Sequence, residues 1–166
     1  MEPIAVALFI IYLITLAWIL LFKLGVKFSY MDNRQVNLIP FETLASKDTG
    51  VAEIILNVLI FIPVGIYAGI IMESGVRKMF LLFFMISLVV EALQYTFRIG
   101  AFDVTDLITN TSGGMIGFFL FYGSTKLFGG ARQARKYLTA LGAIGTILMI
   151  LFLVLLKTGN LGIRYQ

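Results

Sequence analysis

Ile4 to Phe22 run for nineteen residues without a charge, interrupted only by Thr15 and the hydroxyl of Tyr12. A membrane-spanning helix needs roughly 20 such residues. Four more runs of similar character follow, at about Val51 to Met72, Met79 to Thr96, Val104 to Ser124 and Tyr137 to Leu156. Because they are continuously apolar and do not alternate, they exclude a transmembrane barrel. With 60% hydrophobic and only 13% charged residues among 166, against about 45–50% and about 25% in soluble domains, little chain is left for anything except short connections. A soluble globular enzyme, a disordered tail and a nucleic-acid-binding domain are excluded. The first run has no basic n-region and no small-residue cleavage site after it, so it reads as a retained span. The expected fold is all-α: a polytopic membrane protein with five transmembrane helices in one bundle, forming a single domain over residues 1–166.

Two absences bound the chemistry. There is no Cys and no His, which removes disulfides, thiolate nucleophiles, cysteine metal sites and the commonest general base and metal ligand. Chemistry must rest on carboxylates, Arg or Lys, amides, hydroxyls or a hard cation bound through oxygen. The net charge of +4 is spread over connections, as expected for orientation and anionic lipid and not for nucleic acid.

Polar residues inside the runs are few and unevenly placed. The first and fifth runs carry almost none. The second, third and fourth hold Glu53, Asn57, Glu91, Gln94, Asp106 and Asn110. With five spans, the long connection 23–50, the end of span three and the start of span four share one membrane face. Glu91, Gln94 and Arg98 are three and then four residues apart, and so are Asp103, Asp106 and Asn110; Glu53 and Asn57 are four apart. Each set makes one stripe on its helix, and the three stripes converge at one level. Gly65/Gly69 and Gly113/Gly117 are small-xxx-small steps for close packing of spans two and four, and Pro63 is expected to kink span two. Lys23 and Lys27 favour a cytoplasmic position for the polar face. The concentrated basic segment 126–136 favours the opposite assignment, which puts the polar cluster outside.

Structural readings of these residues compete with functional ones. Asp103 and Asp106 suit the start of a helix as capping acids; Glu91 and Arg98 can neutralise one another; Asn57 and Asn110 can bridge helices. Convergence of so many groups on one level favours a polar pocket at the membrane surface. There Arg98 would hold a phosphate. Glu91 is the candidate general base, since partial burial raises a carboxyl group's pKa. Asp103 and Asp106 would orient it, or with Asn110 hold Mg²⁺ or a similar divalent cation, although capping is the commoner use of acids so spaced.

The same residues carry a resemblance. Asn37-Leu38-Ile39-Pro40-Phe41, Asn57 through Gly65, Glu91-Ala92-Leu93-Gln94, Arg98, and Asp103 through Gly114 resemble, in order, the VanZ-like family over about residues 10–125, with the fifth helix (about 137–156) appended. The resemblance implies a multi-pass protein of the bacterial cell membrane and reduced susceptibility to teicoplanin-type lipoglycopeptides. A weaker implication is likeness to membrane enzymes that transfer or hydrolyse lipid head groups. The positions carried over are Asn37, Pro40, Asn57, Glu91, Gln94, Arg98, Asp103, Asp106 and Asn110.

Two functions are therefore expected to compete. In one, the pocket binds or modifies the head group of a lipid or lipid-linked cell-wall precursor, with Glu91, Asp103 and Asp106 catalytic and Arg98, Gln94, Asn57, Asn110 and Asn37 binding. In the other, the protein shields a precursor or blocks antibiotic insertion without catalysis. Substrate, orientation, metal dependence and oligomeric state stay open at this level.

Overall fold

The computed structural model describes residues 3–22, 36–42, 49–98 and 100–157. They form five helices: α1 (Pro3–Phe22), α2 (Thr49–Ile71), α3 (Val76–Phe97), α4 (Val104–Leu127) and α5 (Ala131–Lys157). Two short extended segments, β1 (Val36–Asn37) and β2 (Phe102–Asp103), pair in parallel with Asn37 opposite Asp103. The chain is thus helical as expected, with one two-residue bridge that hydrophobic periodicity does not announce. Lys23 and Lys27, which bear on orientation, lie outside the described residues.

The first four helices begin and end within a few residues of the apolar runs. α5 differs. It starts six residues before Tyr137 and takes in Arg132, Arg135 and Lys136, so the basic segment is mostly helix. Arg and Lys are good helix formers, and a cluster of them need not end a helix. The break comes instead from Gly129 and Gly130, at φ 72° and 134°, conformations that a residue with a Cβ rarely adopts.

α2 and α4 make the closest helix pair, and their glycines are the reason. A Cβ on Gly65 would land on the carbonyl oxygen of Gly114, one on Gly117 on that of Ile62, and one on Gly113 on that of Val58. Backbone therefore lies against backbone over several turns, which maximises van der Waals contact between the two helices. Around this seam Phe61, Val64, Ala68, Met79, Phe83 and Phe118 form the buried core, joined by Leu16 of α1. Pro63 has no N–H and interrupts the α2 ladder beside it. The Tyr12 hydroxyl of α1 donates to the neighbouring Ile60 carbonyl at 2.6 Å.

The outer surface is apolar on all five helices. Ile14, Leu56, Leu59, Val89, Phe119, Leu120, Leu141 and Ile147 are all exposed. Among the described residues, one helix, Gly50–Ile71, is long and apolar enough to cross a membrane by length and composition, and Pro3–Ala17 is a shorter apolar one.

Candidate functional site

At one end of the bundle, α3 terminates and α4 begins within a few residues, and β1 is stitched to that junction. α3 ends because Arg98 adopts the left-handed conformation (φ 57°) with its N–H turned back to the Gln94 and Tyr95 carbonyls. α4 starts because Asp103, in extended conformation, caps it. Its Oδ1 accepts from the Thr105 N–H at 2.7 Å, satisfying one of the orphan amides of a helix start.

Asp103 does more than cap. Its Oδ2 accepts from Asn37 Nδ2 at 3.1 Å, and its own N–H donates to Glu91 Oε2 at 3.0 Å. Asn37 in turn accepts from the Ile39 N–H at 3.2 Å, and the Phe41 N–H donates to Thr105 Oγ1 at 3.0 Å. The segment 36–42 is therefore pinned at several points across the α3–α4 junction, and Phe41 sits at φ 62°. On the α2 side, Asn57 Nδ2 donates to Asp106 Oδ1 at 2.7 Å. One helical turn deeper, Asn110 Nδ2 donates to Ser87 Oγ at 3.1 Å.

Burial grades the cluster. Glu91 is 1% exposed and Asn110 2%, with Gln94, Asn57, Ser87 and Thr105 also buried; Asn37, Asp103 and Asp106 are half-buried. Asn110 Oδ1 has no hydrogen-bond partner among the described residues. Because Ser87 Oγ can accept or donate, one end of this amide stays unmatched whichever way it is turned. An unmatched buried amide costs about 1–3 kcal/mol and gives the floor of the cluster an unused polar atom.

The structure thus brings together six of the eight residues singled out from the sequence, Asn37, Asn57, Glu91, Asp103, Asp106 and Asn110, and buries Gln94 on the Glu91 stripe of α3. Arg98 is at the same level but exposed. It makes no ion pair with a described residue, so it does not neutralise Glu91. Its left-handed turn takes it off the stripe that a continued helix would have given. Glu53 is likewise exposed, although Asn57 one turn later is buried. Among the described residues no group of three or more acids is gathered closely enough to hold a metal ion. Ser87 and Thr105 were not legible as site residues by charge. Ser87 sits four residues before Glu91, on the same helical stripe, and that spacing was the available clue.

The triple engagement of Asp103 predicts a local weak point. Asp103→Ala removes a helix cap, worth about 1 kcal/mol, and leaves Asn37 without its acceptor. The expected loss is about 2 kcal/mol in a thermal melt of the detergent-purified protein. Limited proteolysis should then cut within residues 36–42 faster than in the wild type. An unchanged cleavage rate would show that the segment is held by other contacts.

An all-helical chain with an apolar exterior and a carboxylate–amide cluster tying a loop to the junction of two helices is the class defined so far. Residues 9–128 match the VanZ/LLP1 family, and the chain belongs to it. It is 36% identical over 148 residues to Protein VanZ of Enterococcus faecium, an alignment covering 87% of each chain. No solved structure matches. Every site residue lies inside the matched region, and α5 lies beyond it.

Proposed function

We propose that the protein is a multi-pass protein of the bacterial cell membrane, one domain with five spans, that binds the phosphate-bearing head group of a lipid or lipid-linked envelope precursor at the polar cluster. At 1.5 Å per residue, helices of 20 to 27 residues are at least as long as a bilayer core of about 30 Å. Their exposed apolar side chains suit lipid. Arg98 is the observation that carries the binding role: a guanidinium with no carboxylate partner among the described residues, displayed at the rim of a buried cluster of amides and acids. A guanidinium so placed is matched to a phosphate by paired charge-assisted hydrogen bonds. Asn37, Asn57, Gln94 and Asn110 supply the amide wall, and Asn110 Oδ1 an acceptor for a hydroxyl or water of the bound group.

The acids favour binding over catalysis. Asp103 Oδ1 and Oδ2, Asp106 Oδ1 and Glu91 Oε2 all accept hydrogen bonds from the protein itself. They are framework for the site, and we assign the protein a non-catalytic role in shielding a precursor. With the cluster on the outer face, that role lowers susceptibility to teicoplanin-type lipoglycopeptides, consistent with the likeness to Protein VanZ.

The test is Arg98→Gln expressed in a teicoplanin-susceptible host. Because the side chain is exposed, the variant should accumulate and melt like the wild type. Any protection conferred by the wild type should fall about tenfold or more, the scale of one lost hydrogen bond to a charged group. Full protection by Arg98→Gln would remove the phosphate contact. Lipid profiling of the same cells should show no new head group; a new one would make the protein an enzyme.

A further inference from the structure

Away from the polar cluster, two buried polar atoms among the described residues have no hydrogen-bond partner, Thr139 Oγ1 and Arg135 Nε, and the Tyr67 hydroxyl lies near them, beside Thr146. All three lie along the seam between α2 and α5. Arg135, Thr139, Gly142 and Thr146 are spaced four, three and four residues apart, so they form one stripe of α5. Tyr67 is 3% exposed and Thr139 7%. Gly142 lets Tyr67 lie against α5, since a Cβ there would strike its hydroxyl. Thr146 spends its own proton on the Gly142 carbonyl at 2.8 Å.

Two separate cavities lie along this stripe, one on each side of Thr139. The inner one, about 270 Å³, has Pro63, Ile66, Leu138 and Leu141 among its apolar walls, with Tyr12, Tyr67 and Thr146 as its hydroxyl-bearing residues. The outer one, about 410 Å³, sits at the α2–α3 connection and contains Arg135, Glu73, Ser74 and Thr125. Arg135 pairs with the exposed Glu73 at 2.8 Å, holding that carboxyl below the usual carboxylate range. Arg77, Lys78, Lys126, Arg132 and Lys136 stand exposed at the same end, so the mouth is strongly basic.

We propose that this seam binds one anionic glycerophospholipid, with its phosphate at Arg135, its ester oxygens accepting from Thr139 and Tyr67, and one of its two acyl chains entering the inner cavity. The order of groups in such a lipid (anion, then esters, then hydrocarbon) is the order met along α5. Arg135 and Thr139 are about 6 Å apart along the axis, one turn, and the apolar walls begin beside the next residue. Each unpartnered donor is thereby matched, and the surplus of basic side chains selects an anionic head. The proposal rests on the membrane-spanning reading above and not on the polar cluster at the opposite end.

The test is native mass spectrometry of delipidated protein titrated with a phosphatidylglycerol or with a phosphatidylcholine of the same chains. The wild type should retain phosphatidylglycerol about tenfold better. Arg135→Gln should erase that preference, whereas Glu73→Gln, which keeps the guanidinium, should preserve or sharpen it. Tyr67→Phe and Thr139→Val should weaken both lipids several-fold. Gly145→Leu adds bulk where a Cβ meets nothing within 4 Å, and should exclude both lipids from the inner cavity while leaving the melt unchanged. Should Gly145→Leu fail to fold, Tyr67→Phe carries the same decision. Equal retention of the two lipids, or binding indifferent to Arg135→Gln and Tyr67→Phe, would overturn the proposal. So would binding of soluble glycerol phosphate as tightly as lipid, or a second copy of the chain in place of the lipid mass. Sensitivity to Arg98→Gln in place of Arg135→Gln would move the lipid to the polar cluster and sink the seam while sparing the head-group reading.

Discussion

Gly65→Val and Gly117→Val should each abolish accumulation of folded protein. At both positions a Cβ meets a carbonyl oxygen of the facing helix, and backbone cannot rotate aside as a side chain can. The two helices must separate, and with them the packing of Phe61, Val64 and Phe118 against the core. Overpacking usually costs about 1–3 kcal/mol. Here the cost should exceed that range, because the contact is backbone on backbone and continues through Gly113. Fluorescence-detected size-exclusion chromatography in mild detergent reads the outcome directly. Gly75→Ala is the control, since nothing lies within 4 Å of its Cβ position. A monodisperse, wild-type-like Gly65→Val would mean that α2 and α4 do not meet as described.

Substitutions at Glu91 should separate framework from chemistry. Glu91→Gln keeps a carbonyl oxygen to accept the Asp103 N–H and should cost less than Glu91→Ala. Glu91→Ala orphans that amide and opens a cavity at a residue 1% exposed, for an expected loss of about 2–4 kcal/mol. In the binding reading, antibiotic protection follows stability: retained by Glu91→Gln, lost by Glu91→Ala. Loss of protection by Glu91→Gln with an unchanged melting curve would place proton transfer on this carboxyl and replace the binding role with catalysis.

Much of this arrangement was legible in the residues because helices repeat. Glu91 and Gln94 are buried on the stripe that their spacing defines, and Gly65, Gly113 and Gly117 sit where small-xxx-small steps place a close helix pair. The departures have local causes. Arg98 falls outside the stripe because its own left-handed conformation ends the helix. Glu53 faces outward although it is one turn from Asn57, since polar spacing fixes neighbours on a helix and not which face meets the bundle. The early start of α5 was hidden by reading a run of Arg and Lys as a connection, when the two glycines before it make the turn. The pairing of Asn37 with Asp103 spans 66 residues, and no periodicity within either segment encodes it.

That separation has a consequence for how the protein matures. Local turns of helix form as soon as their own residues are in place, whereas closing a long loop must wait for the chain between its ends. The Asn37–Asp103 contact encloses α2 and α3 entirely and needs Asp103, the cap of α4, as its acceptor. The cluster is therefore completed late, after the helices it joins have been threaded and packed. A chain stalled during synthesis would carry every residue of the site on one strand of sequence and yet possess no site.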